Sequence, residues 1–482
     1  MSGWIKSLGK DSLVYGIGYG VSRFLQIIIL PIIAQTLSLS EFGYYSNYVI
    51  FYSFTGGLFI FGLDSAVARF FFDSDDKKYH QQLFSSAFFF ILLLSGAGVG
   101  LFFGNASYLL ELIGIPTAYN SALKYVLFCI PAITLNGFFL SWFKWKREKA
   151  KFLFCSGSNV VFLLIPLWFA EKVSFLYIFQ VILWSQLIIA VVSVYLAREY
   201  IRFYFHLKLM KSLLLFGFPW MLVFLFGASR AYLDRIFLIR YINGDAYGLY
   251  NFSVRIATLI SLFITAFDMS FGPLAYSIWN KEGAAIFFAR LQSIYTLLIC
   301  SIGCSIAIVS PLVIHLLGGT KYAGAEKILP ILLFSAIPLS LINFSNLGTA
   351  YAKKSFLSTL TLFIGFAVVL LLNIAFTRHF LAYGATSASF AGHLMIIISG
   401  YYLSAKYYKI PFAYGKDAFI FFFFFALSLI SVYFPFGFSL YPNMILQLMI
   451  LAIVLYLVII SLFRDEYQKA FVLLKGKFLT SK

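Results

Sequence analysis

Apolar residues occur in long runs along the whole chain, and short polar segments separate these runs. Residues 83–104, 160–169 and 419–433 are clear examples. A helix of about 20 apolar residues crosses a bilayer, whereas a membrane β-barrel needs strict alternation of apolar and polar residues, which this sequence lacks. The pattern therefore predicts an all-α polytopic membrane protein.

The apolar runs divide into fourteen predicted membrane spans. The predicted spans are residues 12–37, 44–70, 83–104, 122–142, 152–170, 174–197, 212–240, 247–270, 284–309, 328–350, 356–377, 385–405, 417–435 and 443–463. An even number of spans places both termini on the same side of the membrane.

Composition and charge agree with this topology. Of 482 residues, 62% are hydrophobic and 11% are charged, a balance that excludes a soluble domain of this length. Cytoplasmic loops collect Lys and Arg, and the predicted outer loops hold only Lys172, Lys321, Lys327 and Arg378. We therefore place both termini in the cytoplasm. The net charge of +18 is explained by this topology, with attraction to anionic lipids as a by-product and without nucleic acid.

The N-terminal segment has no small-residue cleavage site after a short apolar core, so we expect it to be retained.

Short motifs recur at a nearly constant offset, which is typical of transporters built from repeated halves. At an offset of 205 or 204 the matched segments are Glu41–Tyr45 with Ala246–Tyr250, Gly62–Ser65 with Phe267–Ser270, and Lys149–Phe152 with Lys353–Phe356. The matches predict an N-terminal lobe of residues 1–211 and a C-terminal lobe of residues 212–405, each with six spans. Residues 406–482 then hold two extra spans and a cytoplasmic tail, and the lobes are related by a pseudo-two-fold axis along the membrane normal.

The link before the second span predicts a helix start. Ser40 is a suitable N-cap, Glu41 lies favourably in the first helical turn, and Gly43 permits close approach of a neighbouring helix. A tight hairpin between adjacent helices explains the same residues.

Three N-terminal segments, Leu30–Leu37, Ser40–Tyr45 and Gly62–Phe70, resemble the signature of the Wzx-type polysaccharide flippases. This family belongs to the multidrug/oligosaccharidyl-lipid/polysaccharide exporter superfamily. Segments of the second half that resemble their family counterparts are Phe216–Trp220, Tyr247–Tyr250 and Val254–Ala257.

The resemblance implies a MATE-like fold in the bacterial inner membrane. It also implies that the protein flips undecaprenyl-pyrophosphate-linked oligosaccharide repeat units to the outer leaflet by alternating access, for O-antigen, capsule or exopolysaccharide synthesis. The implied partners are this lipid-linked oligosaccharide, membrane lipids, and the polymerase and chain-length machinery of the same pathway.

Four arginines lie inside predicted spans and are the candidate substrate-binding residues: Arg23, Arg230, Arg235 and Arg255. A charge at bilayer depth costs roughly 3 kcal/mol or more, so it tends to face a cavity or a partner. Asp234 lies one turn from Arg230 and is a candidate for an ion pair with it or for a gate. The second lobe still carries excess positive charge, as a site for a pyrophosphate requires.

Residues at the predicted inner ends of spans two and eight are candidate gate or ion-pair residues. Asp64 and Arg69 lie in the first half, and Asp268 is their counterpart in the second. Interfacial capping or a permanent helix–helix pair is the alternative explanation, and the simpler one. His393 is either a proton-coupling group or a hydrogen-bonded packing residue, and Trp220 is a candidate for stacking on a sugar ring.

The sequence shows no motif for a metal site or for nucleotide hydrolysis. The four cysteines have no neighbours at metal-ligand spacing, and no Gly-rich phosphate-binding motif with its Lys occurs. We expect no metal and no cofactor, and we expect transport energy from an ion gradient, such as a proton gradient, or from consumption of the glycan outside.

Two alternatives remain. A lipid II flippase or a multidrug antiporter shares the predicted fold, although a cation pump needs a carboxylate in its buried midplane. A membrane glycan polymerase or glycosyltransferase, in contrast, needs a large outer loop, and the longest one here is short and nearly uncharged. We therefore expect a transporter and not an enzyme.

Overall fold

The computed structural model describes residues 28–203 and 206–463, except for the side chains of Ala231 and Ser355. In these ranges the regular structure is helical, and α1 denotes the helical residues 28–36. The other α-helices are α2 (Leu39–Phe59), α3 (Leu63–Phe70), α4 (Lys77–Gly104), α5 (Ala106–Leu112), α6 (Asn120–Trp145), α7 (Lys149–Phe169), α8 (Phe175–Ala197), α9 (Leu207–Leu238), α10 (Gly244–Ala257), α11 (Ile260–Ile278), α12 (Ala284–Gly318), α13 (Leu329–Ser340), α14 (Ile342–Ser345), α15 (Leu347–Tyr351), α16 (Ser355–Leu372), α17 (Arg378–Ala405), α18 (Tyr414–Tyr433) and α19 (Leu440–Leu462).

Twelve helical runs within the described residues are long and apolar enough to cross a membrane. The all-helical, multi-pass membrane fold is therefore confirmed. The first predicted span, 12–37, lies mostly outside the described residues, and one run, Phe356–Ala405, includes two predicted spans. The total of fourteen spans and the boundaries of the lobes stay predictions.

The run Phe356–Ala405 is a hairpin. A π-helical turn at Asn373–Thr377 is followed by a break at Leu381, where φ is 50° and ψ is −128°. Beyond the break, a Cβ added at Gly392 would lie 2.2 Å from Cγ2 of Val369. The two legs therefore pack side by side, and glycine permits their close approach.

The second predicted span, 44–70, is not one continuous helix, which corrects the sequence-based expectation. Helix α2 ends at Phe59, and α3 begins after two residues with positive φ, Phe61 at 56° and Gly62 at 68°. A Cβ at Gly62 would lie 2.2 Å from the carbonyl oxygen of Gly217 in α9. The break therefore lets the backbones of α9 and the α2–α3 turn come into contact.

The start of α2 is a capping box, but its N-cap is Ser38 and not Ser40. The Oγ of Ser38 accepts the N–H of Glu41 at 3.2 Å, and the Glu41 carboxylate accepts the N–H of Ser38 at 2.9 Å. This reciprocal pair satisfies two of the free N–H groups at the helix start.

The turn between α6 and α7 recurs between α15 and α16. Arg147 has φ of 59° and Lys353 has φ of 56°, and in both turns the next residue donates its N–H to the carbonyl five residues earlier, at 2.9 Å. This is the left-handed C-terminal motif of helices. The correct offset between these two turns is therefore 206, and the sequence match at 204 was wrong by two residues.

A lysine–tyrosine contact accompanies each of these turns. Nζ of Lys146 donates to Oη of Tyr200 and lies 4.1 Å from the centroid of its ring. Nζ of Lys354 donates to Oη of Tyr407 at 3.1 Å and lies 4.5 Å from its ring. In each half, the loop after the fourth predicted span is thus held against the chain that follows the sixth.

The two halves meet through α2 and α10, which begin at matched positions of the repeat. A Cβ at Gly43 would lie 2.7 Å from Cδ1 of Tyr247, and a Cβ at Gly248 would lie 1.9 Å from the carbonyl oxygen of Leu39. Oη of Tyr247 donates to Oδ1 of Asn47 across the same contact. The predicted role of Gly43 in close helix approach is confirmed, and its partner helix is α10.

The variant Gly248→Ala tests this contact. The new methyl group collides with backbone atoms of α2, and overpacking of this kind costs about 1–3 kcal/mol. We expect a lower thermal unfolding midpoint in detergent. Gly96→Ala in α4 is the matched control, because its Cβ meets no atom within 4 Å. Equal midpoints for both variants would contradict the close contact.

Candidate functional site

Helix α9 carries Arg230, the most buried of the arginines predicted to bind substrate. Its side chain is 8% exposed, and Nε and Nη1 are buried without a hydrogen-bond partner in the described structure. A buried charged group with unmade hydrogen bonds is strongly unfavourable. The guanidinium group therefore has N–H donors available for the oxygens of an anion.

The predicted pairing of Arg230 with Asp234 is not seen. Asp234 is buried, but its Oδ2 accepts the hydroxyl of Tyr250 at 2.6 Å and its Oδ1 accepts the backbone N–H of Arg235 at 2.8 Å. No ion pair within 4.0 Å joins Arg230 and Asp234 in the described part of the chain. Since Tyr250 on α10 binds the carboxylate, helical spacing alone gave the wrong partner.

His393 on α17 lies within electrostatic range of Arg230. Its Nδ1 donates to the carbonyl oxygen of Ser335 on α13 at 2.5 Å, because a carbonyl can only accept. This hydrogen bond fixes the imidazole ring among α9, α13 and α17. The contact agrees with the hydrogen-bonded packing role, and the coupling role stays a prediction.

Arg235 and Arg255 have half-buried side chains. Nε of Arg235 is buried without a hydrogen-bond partner, and its guanidinium carbon lies 5.8 Å from the ring centroid of Tyr232. Arg255 on α10 lies near the side chains of Tyr45 and Tyr52 on α2. Arg255 therefore faces the first half of the chain across the contact of the two halves.

Arg23 and Trp220 are also predicted to contact the substrate. Arg23 lies outside the described residues, so its predicted role in binding substrate stays a prediction. Trp220 is 47% exposed and lies beside the α2–α3 turn, with its Cβ 3.0 Å from the position of a Cβ at Gly62.

The three candidate gate residues do not pair with one another in the described structure. Arg69 forms an exposed ion pair with Asp73 at 2.6 Å instead of pairing with Asp64. Asp64 lies in the first turn of α3, where a carboxylate is favourable, and Asp268 accepts from Nδ2 of Asn343 at 2.6 Å. Their role as a gate stays a prediction.

A clamp at the predicted outer end was not expected from the sequence. Nζ of Lys321, in the loop after α12, donates to the carbonyl oxygens of Gln35 at 3.0 Å and Leu37 at 2.6 Å, at the end of α1. Oη of Tyr322 donates to the carbonyl oxygen of Ala34 at 3.3 Å. A cation at the C-terminus of a helix is favourable, so this loop of the second half stabilises the end of α1.

An aromatic cluster completes the closure at the predicted outer end. The ring of Phe252 stacks on that of Tyr322 with centroids 4.0 Å apart, and Phe42 lies 5.7 Å and 5.6 Å from these two rings. All three side chains are essentially inaccessible. The described structure is therefore closed where α2 and α10 begin.

No group of three or more metal-ligating side chains occurs in the described ranges. The four cysteines, Cys129, Cys155, Cys300 and Cys304, are free and buried.

Comparison with models of protein families shows to which family the chain belongs. The model of the polysaccharide biosynthesis protein family matches residues 8–278, which is more than half of the chain. The chain belongs to the polysaccharide biosynthesis protein family. This membership bears out the resemblance found in the sequence. Comparison with curated proteins gives no match.

Solved structures share the fold of this family member. The lipid II flippase MurJ in an inward closed conformation superposes with a TM-score of 0.76 at 16% identity, covering 94% of this chain and 99% of its own. A multidrug resistance MATE family transporter of the MOP superfamily superposes in its inward-facing form with a TM-score of 0.58 at 13% identity, covering 80% and 94%. Its outward-facing form gives 0.58 at 14% identity, covering 83% and 95%. These likenesses establish the fold, and the equal scores do not distinguish the two conformations.

A disulfide tests the closure at the predicted outer end directly. A Cβ at Gly244 would lie 2.7 Å from Cβ of Ser40, and a shift of about 1 Å reaches the 3.5–4.5 Å spacing of a disulfide. The double variant Ser40→Cys with Gly244→Cys should crosslink rapidly on oxidation. Because the native cysteines are buried, background crosslinking should be low.

Crosslinking is measured on a non-reducing gel after cleavage at a protease site introduced between α8 and α9. Ser40→Cys with Gly272→Cys is the control, since a Cβ at Gly272 meets nothing within 4 Å. Failure of the first pair to crosslink, with both thiols present, would show that the outer end is open.

Proposed function

We propose that this protein flips undecaprenyl-pyrophosphate-linked oligosaccharide repeat units from the cytoplasmic to the outer leaflet, for O-antigen, capsule or exopolysaccharide synthesis. The observation that carries the proposal is the buried guanidinium group of Arg230, with two donors that lack partners. Membership of the polysaccharide biosynthesis protein family and the fold shared with a lipid II flippase support it.

The charge of the site favours an anionic cargo. Arg230, Arg235 and Arg255 lie on α9 and α10, and the carboxylate of Asp234 is already bound by Tyr250 and a backbone N–H. A pyrophosphate offers several acceptor oxygens and about two negative charges, which guanidinium groups bind in bidentate fashion. Drug cations would be repelled by the same groups.

Transport by alternating access follows from the contact between the halves. The clamp of Lys321 and the contact of Gly248 with Leu39 close the outer end, so the cargo reaches the arginines from the end with the basic loops. Opening the outer end requires these contacts to separate. Arg255 lies two turns from Gly248 on α10, so binding at Arg255 is mechanically linked to this contact.

The alternatives differ in their cargo. A lipid II flippase presents the same pyrophosphate with another glycan, and a multidrug antiporter of this fold carries a cation. A polymerase or glycosyltransferase would consume the lipid-linked glycan instead of moving it. A translocation assay in proteoliposomes, with a fluorescent undecaprenyl-pyrophosphate oligosaccharide, separates these classes.

Substitution of Arg230 tests the anion site. Arg230→Gln should reduce translocation at least about tenfold, because a charged hydrogen bond contributes roughly 1.5–3 kcal/mol and 1.4 kcal/mol equals a factor of ten. Arg230→Lys should retain part of the activity, since an ammonium group keeps the charge but lacks the planar fork.

The matched control is Arg240→Gln, because Arg240 follows the same helix and is exposed. It should translocate within about twofold of the unmodified protein. Unfolding midpoints and membrane abundance are measured for all variants, and Arg255→Gln provides a second, less buried test. Full translocation by both Arg230→Gln and Arg255→Gln would overturn the proposal.

A further inference from the structure

A polar groove lies at the predicted outer end of the first half, away from the arginines of α9 and α10. It has a volume of about 700 Å³ and is formed by the end of α1, the end of α7 and the loop that leads into α8. The polar residues that line it are Gln35, Thr36, Glu171, Lys172 and Ser174. Its volume falls within the range of small-molecule sites, which is roughly 300–1,000 Å³.

Two hydroxyl groups of the groove are held in place by hydrogen bonds at helix ends. Oγ of Ser174 accepts the N–H of Tyr177 at 3.2 Å, so Ser174 caps α8 and its hydroxyl proton stays available for a ligand. Oγ1 of Thr36 donates to the carbonyl oxygen of Ile32 at 2.6 Å and can still accept. The groove therefore offers a hydroxyl donor and a hydroxyl acceptor at fixed positions.

The longer polar side chains of the groove are exposed. Gln35 lies in the last turn of α1, and Glu171 and Lys172 lie in the loop after α7. In the described ranges no ion pair engages Glu171 or Lys172. A carboxylate accepts hydrogen bonds, an ammonium group donates them and a carboxamide does both. One negative and one positive side chain leave the groove without net charge, in contrast to the site on α9 and α10.

The chemistry of the groove selects among ligands. Apolar side chains of Ile32, Leu167 and Val173 line it beside the polar groups. A free phosphate would meet the carboxylate of Glu171, and a zwitterionic lipid headgroup would pair with Glu171 and Lys172 but leave the hydroxyl and carboxamide groups unused. A sugar has hydroxyl groups that donate and accept, and its C–H faces suit apolar side chains. The set of groups therefore favours an oligosaccharide.

Gln35 connects the groove with the closure at the predicted outer end. The residue lines the groove, and its carbonyl oxygen accepts from Nζ of Lys321 at 3.0 Å. Lys321 belongs to the second half and also donates to the carbonyl oxygen of Leu37 at 2.6 Å. The groove thus borders the place where the two halves have to separate when a cargo leaves.

We propose that this groove binds the oligosaccharide part of the lipid-linked cargo where the cargo emerges at the outer end. The inference rests on the proposed function, because it divides the recognition of one cargo between two sites. The arginines of α9 and α10 bind the pyrophosphate, and the groove binds the sugars through neutral and oppositely charged polar groups.

Binding of a lipid-free oligosaccharide to the purified full-length protein in detergent tests the inference. The probe is the repeat unit released by mild acid from the lipid-linked oligosaccharides of the source cells, and its dissociation constant is measured by saturation-transfer NMR. The double variant Gln35→Ala with Glu171→Ala should bind it at least about tenfold more weakly, because a hydrogen bond to a charged group alone accounts for such a factor. Glu171→Gln should retain part of the affinity, since its carboxamide oxygen still accepts.

Glu111→Ala is the matched control, because Glu111 is an exposed carboxylate on α5 at the same predicted end and does not line the groove. It should bind the probe with the affinity of the unmodified protein. Unchanged affinity in the double variant, or an equal loss in Glu111→Ala, would overturn the inference. Displacement of the probe by dihexanoylphosphatidylethanolamine would identify a lipid headgroup site and would overturn it as well.

The inference and the proposed function fail in different measurements. Displacement of the oligosaccharide by inorganic pyrophosphate would place the sugars at the arginines and overturn the inference alone. Absence of translocation by the unmodified protein in proteoliposomes would overturn the proposed function, whereas loss of probe binding in the double variant would still support a sugar site in the groove.

Discussion

Burial of the Arg230 guanidinium is the constraint on which this account depends. A charge at bilayer depth is costly, and here two of its N–H donors have no partner in the described structure. The one carboxylate within a helical turn, Asp234, is engaged by Tyr250 and by a backbone N–H. The helix is thus held in a state that an anion would stabilise, and this links the sequence of α9 to the chemistry of the proposed cargo.

The contact between the two halves, formed by α2 and α10, lies close to the arginines of the candidate site. Gly43 and Gly248 let α2 and α10 approach until backbone atoms meet, and Lys321 adds a charged clamp on the end of α1. Arg255 lies on α10 beyond that contact and near two tyrosines of α2, Tyr45 and Tyr52. A ligand bound at Arg255 would therefore change the balance of interactions between α2 and α10, the two helices that meet at this closed end.

The apolar pattern predicted the membrane helices well, because a helix of about 20 consecutive apolar residues matches the thickness of the hydrocarbon core of a bilayer. It missed the break at Phe61–Gly62, since the cause of the break is the distant carbonyl of Gly217. The repeat was detectable from Gly43 and Gly248, but its offset near Arg147 was wrong by two residues, because the turns match in backbone geometry and not in sequence. Likewise, helical spacing placed Asp234 beside Arg230, and only the fold brings Tyr250 to that carboxylate.

The most direct measurement is an experimental structure of the protein with an undecaprenyl-pyrophosphate oligosaccharide bound. The account predicts that phosphate oxygens lie within hydrogen-bond distance, about 3 Å, of Nε and Nη1 of Arg230. Phosphates bound elsewhere, with the Arg230 guanidinium still without a partner or hydrogen-bonded to protein groups, would contradict it.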